Sequence, residues 1–279
     1  MRSLPRPNFN TAVVIDACIN SIQDPDIRNG LTQISGTLVL SEADYIMRGT
    51  GMALFSIPQS PTVGGIVSGA TMKRVYASTF VKSSRTRAMY DALKAAPEND
   101  MCPLCAQRTV STLDHYLAQS LHANLTIVPA NLVPACAECN KNKLDRQPAN
   151  AADQSFHPYF DNFDDDRWLW AQVVVGSPAA LTFHVTQPML WDAVKLERAQ
   201  RHFSAFKLAA LYASHAGVEL TNIRFSLSTI AERGSAEDIR AFLLDRAASA
   251  RHANLNSWQT ATYDALVNSA WFCEGGFAA

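Results

Sequence analysis

The chain has 279 residues, 48% of them hydrophobic, with 24 Lys and Arg against 25 Asp and Glu and a formal net charge of −1. That much apolar material can bury one large or two modest cores and excludes a disordered chain. The balanced charge excludes a protein that coats nucleic acid non-specifically, so any phosphate binding has to come from a local basic patch.

The sequence does not open on a charged segment followed by an apolar one. Nor does any apolar run reach the roughly 18 residues that mark a membrane span, so a soluble, cytoplasmic chain is expected. In residues 11–22, Val13, Val14, Ala17, Cys18 and Ile22 recur at helical spacing, and residues 41–54, opening on Ser41 and Glu42, repeat the signal. Between them, residues 31–40 contain the β-prone T-L-V-L and fit strand or helix equally. Pro, Gly and Ser dominate residues 58–69, which predicts a loop or linker and a boundary near residue 70.

Residues 72–96 carry Lys73, Arg74, Lys82, Arg85, Arg87 and Lys94 against a single acid, Asp91. This is the basic patch; a solvated helix face and a phosphate-contacting surface account for it equally well. Lys141, Lys143 and Arg146 extend the positive charge further on. F-H-P-Y-F-D at residues 156–161, with His157, reads as an aromatic packing strip in preference to an auxiliary phosphate contact. The acidic run that follows, through Asp164 to Asp166, reads as a solvated loop. Residues 168–175 and 180–186, separated by Gly176-Ser177-Pro178, predict a hairpin. Helices are expected from Trp191 to about Ala216 and over 221–232, 235–250 and 258–270, the third of these opening on Ser235-Ala236-Glu237-Asp238. Three regions follow: 1–70, helical; 71–165, a metal module; and 166–279, a hairpin with helices.

Cysteine spacing carries the strongest signal. Cys102 with Cys105 and Cys136 with Cys139 form two C-x-x-C pairs, leaving Cys18 and Cys273 far apart in sequence. Each pair makes a tight turn that offers two sulfurs at about 2.3 Å from a metal, so the four thiolates suit one tetrahedral zinc. Four sulfurs close the coordination sphere, so the expected zinc is structural and the chemistry sits elsewhere. Asp114 and His115 stand between the pairs, and Asn140 follows the second pair directly. Phosphodiester hydrolysis needs a base for water, a divalent cation on the phosphate and hard oxygen ligands for that cation. His115 titrates in the range of a base, while Asp114 offers a carboxylate and Asn140 an amide oxygen to magnesium or manganese. A lone histidine is more often a core residue, but the company His115 keeps reverses that expectation.

These residues resemble the HNH, or ββα-metal, endonucleases. The resemblance rests on L-D-H-Y-L at residues 113–117, N-L-V-P-A-C at 131–136 and C-N-K-N-K at 139–143. It implies an α+β fold: a mostly helical protein with an embedded zinc-stabilised ββα-metal module. The implied activity is hydrolysis of DNA to 5′-phosphate and 3′-hydroxyl ends, with RNA left open by the motif. His115 would be the general base, Asp114 and Asn140 the ligands of the catalytic magnesium or manganese, and Asn131 a structural residue tying down the hairpin and base loop. Asn140 in the last position makes this an H-N-N variant, and Ala118 stands where related proteins often have Pro. The whole chain also resembles a group of bacterial HNH proteins associated with anti-phage defence, some paired with an ATPase as in Septu-type systems. An ATPase partner or a second copy of the chain is therefore expected. The alternative is a zinc-knuckle module that binds nucleic acid or protein without cutting; the joint presence of Asp114, His115 and Asn140 argues against it.

Overall fold

The structure, a computed structural model, describes residues 1–143, 145 and 147–279, so Arg146 of the basic extension lies outside the described residues. It divides into two compact units, Arg2–Asn162 and Phe163–Ala279, the latter with Met1.

In the first unit, helix α1 (Thr11–Ile19) starts where the Asn10 side chain accepts a hydrogen bond from the Val13 amide. It ends three residues short of the predicted limit, and Asp24 caps the next helix at once, accepting from Asp26 and Ile27 ahead of Pro25. That helix, α2 (Pro25–Thr50), absorbs both the ambiguous run 31–40 and the start expected at Ser41. The reason is packing: Leu31, Ile34, Leu38, Glu42, Tyr45 and Gly49 are buried at helical spacing along its whole length, and this overrides the local β preference. Ser41 caps nothing; its hydroxyl donates to the Thr37 carbonyl inside the helix.

The boundary expected near residue 70 is corrected by the fold. Strands β1 (Thr62–Val63) and β2 (Val67–Ser68) form a small hairpin that turns through Gly64 and Gly65, both at positive φ. Ser60 is bonded to Leu121 and Ala123, and Val63 and Val67 join a buried cluster with Ile34, Leu38, Phe80 and Leu113. Residues on both sides of position 70 therefore share one core. Helix α3 (Gly69–Arg74) continues into a π-helical turn, Val75–Phe80, and α4 (Ser84–Lys94) follows a Ser83 cap. Strand β3 (Thr112–His115) pairs antiparallel with β4 (Leu132–Ala135), Asp114 opposite Val133 and His115 opposite Leu132. Helix α5 (Ala137–Lys143) follows directly, giving a strand–strand–helix order.

In the second unit the predicted hairpin is present as β5 (Leu169–Val174) and β6 (Ala180–Val185), with Leu169 opposite Val185. Asn256, buried, pins its start: its side-chain oxygen accepts from the amides of Trp168 and Leu169, and its nitrogen donates to the carbonyls of Phe163 and Asp166. Helices α6 (Ala193–Ala205), α7 (Leu208–Ala231), α8 (Ala236–Ala253), α9 (Trp258–Val267) and α10 (Ala270–Cys273) complete it. The helix expected to run to Ala216 breaks at Lys207, which is left-handed at φ 54°, and residues 221–232 are the second half of α7. Ser235 is the N-cap of α8 with Glu237 and Asp238 in its first turn, as expected, and Ser235 and Asp238 together form a capping box. The acidic run is not simply solvated, since Asp166 accepts the indole N–H of Trp191 at 2.7 Å. Among the described residues, no helix is long and apolar enough to cross a membrane.

Candidate functional site

The first cysteine pair lies in a tight loop closed by the bridge between Met101 and Thr109. Within it Ala106 takes a left-handed φ of 51°, and its amide bonds to the Cys102 carbonyl at 2.7 Å. The second pair straddles the start of α5. The folded hairpin brings the two turns together: all four cysteines are buried, and their sulfurs lie within 4.8 Å of one another, Cys105 and Cys136 at 4.0 Å. Amide groups of Arg108 and Cys139 point at the sulfurs of Cys105 and Cys136 at 3.5 and 3.4 Å. Such a set fits a metal such as zinc, whose tetrahedral thiolate site separates its sulfurs by about 3.8 Å. Without a cation the crowded thiols are in conflict. Hydrogen bonds from neighbouring sulfurs pull Cys105 and Cys136 down, while Cys102 and Cys139 are pushed up. A bound cation removes the conflict by deprotonating all four.

Asp114 and His115 are successive residues of β3, so their side chains leave opposite faces of the strand. Both are buried. Asp114 meets α5: its Oδ2 lies 2.9 Å from Lys143 Nζ, which also donates to the His115 carbonyl. Burial pushes the Asp114 carboxyl above its ordinary range, against the pull of Lys143. His115 faces the π-helical turn, its ring edge-on to Tyr76 at 4.6 Å. Its Nε2 lies 2.9 Å from the Thr126 carbonyl; a carbonyl only accepts, so Nε2 carries the proton and Nδ1 the lone pair. Burial brings its pKa down to about 4, which keeps the ring neutral at pH 7.

Asn131 is fully buried and makes three bonds, accepting from the Leu117 amide and donating to the carbonyls of Leu117 and Leu125. Leu125 adjoins Thr126, so Asn131 fixes the loop that supplies the imidazole's acceptor. Asn140 lies one helical turn before Lys143, on the same side of α5. Its side chain ends in a neutral amide whose oxygen is a hard ligand by type. Asp114 and Asn140 match a hard divalent ion in ligand type, and Asp114 already holds a cation.

Sequence reasoning missed Lys143 as a partner of Asp114, Tyr76 and Thr126 as the walls around His115, and Asp145. Asp145, held by Ser120 at 2.7 Å, adds negative potential at both Asp114 and His115. The three-residue step from Asn140 to Lys143 was the available signal for the lysine. His157 is placed as the packing strip predicts: Nδ1 accepts from the Tyr159 amide, Nε2 meets the Tyr45 hydroxyl at 3.0 Å, and Phe160 packs beside it.

Fold and site thus define a mixed α/β chain with a buried four-cysteine centre of metal-binding type beside a strand–strand–helix hairpin. The chain is similar to protein ea31 of Escherichia phage lambda, 26% identical over 297 aligned positions that cover 99% of this chain and 100% of that protein. No family model matches the sequence. No solved structure matches it.

Proposed function

We propose that the chain is a metal-dependent HNH-type endonuclease hydrolysing DNA phosphodiester bonds, with structural zinc at Cys102, Cys105, Cys136 and Cys139. One observation carries this reading: a neutral, oriented imidazole and a buried carboxylate paired with an ammonium are carried by successive residues of one hairpin strand, between the two cysteine pairs. His115, donating from Nε2 to Thr126, presents Nδ1 to take a proton from water. Asp114 and Asn140 would hold magnesium or manganese, which polarises the phosphate and stabilises the leaving oxygen. Asn131 keeps His115 in register through the loop at Leu125. Lys73 and Arg74, in the last turn of α3 ahead of Tyr76, would contact flanking phosphates.

The cellular role is proposed as anti-phage defence with an ATPase or a second copy of the chain as partner. Its support is the resemblance of the sequence to bacterial HNH proteins associated with anti-phage defence, together with Val218 and Phe225, exposed two turns apart on α7.

Plasmid nicking or linearisation with added magnesium or manganese, beside EDTA controls and with the partner, tests the activity. His115→Ala is expected to keep its zinc and its fold and to lose activity by about a hundred- to ten-thousand-fold. Wild-type cleavage by that variant would remove His115 from the role of base. If the wild type cuts neither DNA nor RNA under any of these conditions, the zinc-knuckle binding module replaces the endonuclease.

A further inference from the structure

Lys143 is the last residue of α5, yet its ammonium is nearly enclosed. Its side chain is 15% exposed and that of Asp114 9%, with Nζ 2.9 Å from Oδ2. The ammonium also donates to the His115 carbonyl and lies 5.6 Å from the centre of the Tyr116 ring. An ammonium has three N–H donors, and here a carboxylate, a carbonyl and an aromatic face surround it. This is a built cation seat, and the oxygen it occupies belongs to the carboxylate proposed to ligate the divalent ion.

We propose that Lys143 is the resident counter-cation of Asp114 and sets the affinity of this site for a divalent ion, which enters by displacing the ammonium. The inference rests on the endonuclease reading of Asp114 and goes beyond it. A buried carboxylate is costly without a countercharge, and α5 supplies one. A divalent ion and an ammonium on the same carboxylate oxygen repel each other strongly in a half-buried site. Part of the ion's binding energy is therefore used to move Lys143 aside. The chain is thereby held folded without the ion, at the cost of weaker ion binding.

The test is direct manganese binding, read as the fall in the free-ion electron paramagnetic resonance signal, on the full-length zinc-loaded chain. Lys143→Gln and Lys143→Met are expected to bind manganese at least about tenfold more tightly than wild type, the scale of one charge–charge contact in such a site. Adding Asp114→Asn to Lys143→Gln should abolish that binding, which places the ion at Asp114. Neutral variants that keep zinc and helical signal but bind manganese no more tightly than wild type would overturn the inference and leave the endonuclease reading standing. Absence of manganese binding in every variant, zinc being retained, would overturn the inference together with the ligand roles of Asp114 and Asn140. Should the neutral variants lose zinc, Lys143→Arg decides the matter. Its forked guanidinium grips a carboxylate harder, so manganese binding should weaken several-fold, and unchanged or tighter binding would overturn the inference.

Discussion

At the scale of single residues, His115 shows how burial sets a protonation state. Its folded pKa of about 4 lies below the ordinary histidine value of roughly 6.5. Between those values the unfolded chain takes up a proton that the folded chain refuses. The stability contributed by neutral His115 is therefore complete above about pH 6.5 and falls as pH drops toward 4, by about 1.4 kcal/mol per pH unit. Urea unfolding of wild type and His115→Gln at pH 7 and pH 5 should show the larger loss in the wild type; equal losses would contradict the burial argument. For the proposed reaction, the same pKa predicts that cleavage keeps its rate from about pH 8 down to about pH 6, where an exposed histidine base would already be titrating. Asn131 is a second case. Asn131→Ala removes three buried hydrogen bonds and strands a Leu117 amide and two carbonyls, at about 1–3 kcal/mol for each group left unsatisfied. A large drop in the urea midpoint is expected, with zinc content unchanged. A midpoint equal to that of wild type would mean that Asn131 does not hold the loop.

Secondary elements were legible where the signal was local. The two C-x-x-C turns, the β5–β6 hairpin with its alternating burial, and the Ser235–Asp238 cap all follow from residues a few positions apart. The continuous α2 was not legible, because T-L-V-L favours a strand until Leu31, Leu38 and Tyr45 are seen to bury one face of a long helix. The break at Lys207 was equally hidden, since a lysine carries no sign of a left-handed backbone. The cysteine set and the D-H pair could be read from motifs, whereas Lys143 on Asp114 and Tyr76 on His115 are long-range contacts that only the fold creates. Helix packing yields a paired prediction. A Cβ on Gly49 of α2 would stand 2.5 Å from the Phe160 ring, which itself packs on Tyr45, whereas a Cβ on Gly217 of α7 meets nothing within 4 Å. Gly49→Ala should therefore destabilise by about 1–3 kcal/mol, and Gly217→Ala should stabilise by about 0.5–1 kcal/mol through helix propensity alone. Thermal unfolding separates them, and the same direction of shift for both would contradict this account of the α2 face.

Across the whole molecule, the four-cysteine centre and the tryptophans lie in different units. All four clustered cysteines belong to Arg2–Asn162, and all five tryptophans, at 168, 170, 191, 258 and 271, belong to Phe163–Ala279. Each unit has its own buried side chains: Leu31, Ile34, Leu38 and Phe80 in the first, Trp168, Phe206, Leu227 and Leu243 in the second. Metal sites of this class contribute about 10–16 kcal/mol to folding in isolated zinc-finger peptides, comparable to the net stability of an ordinary domain. Cys136→Ser, or stripping the metal with a strong chelator, should therefore unfold the first unit. The far-UV signal of α1, α2 and α4 should fall. Tryptophan emission should hold its position, because all five tryptophans belong to the second unit, where α9 packs on β5 and α7. Chemical denaturation of the metal-free protein should then show one remaining transition by tryptophan fluorescence, at a midpoint close to that of the zinc-loaded protein. A red shift of the tryptophan emission that tracks zinc loss would mean instead that the two units fold as one cooperative body with the metal centre at its base.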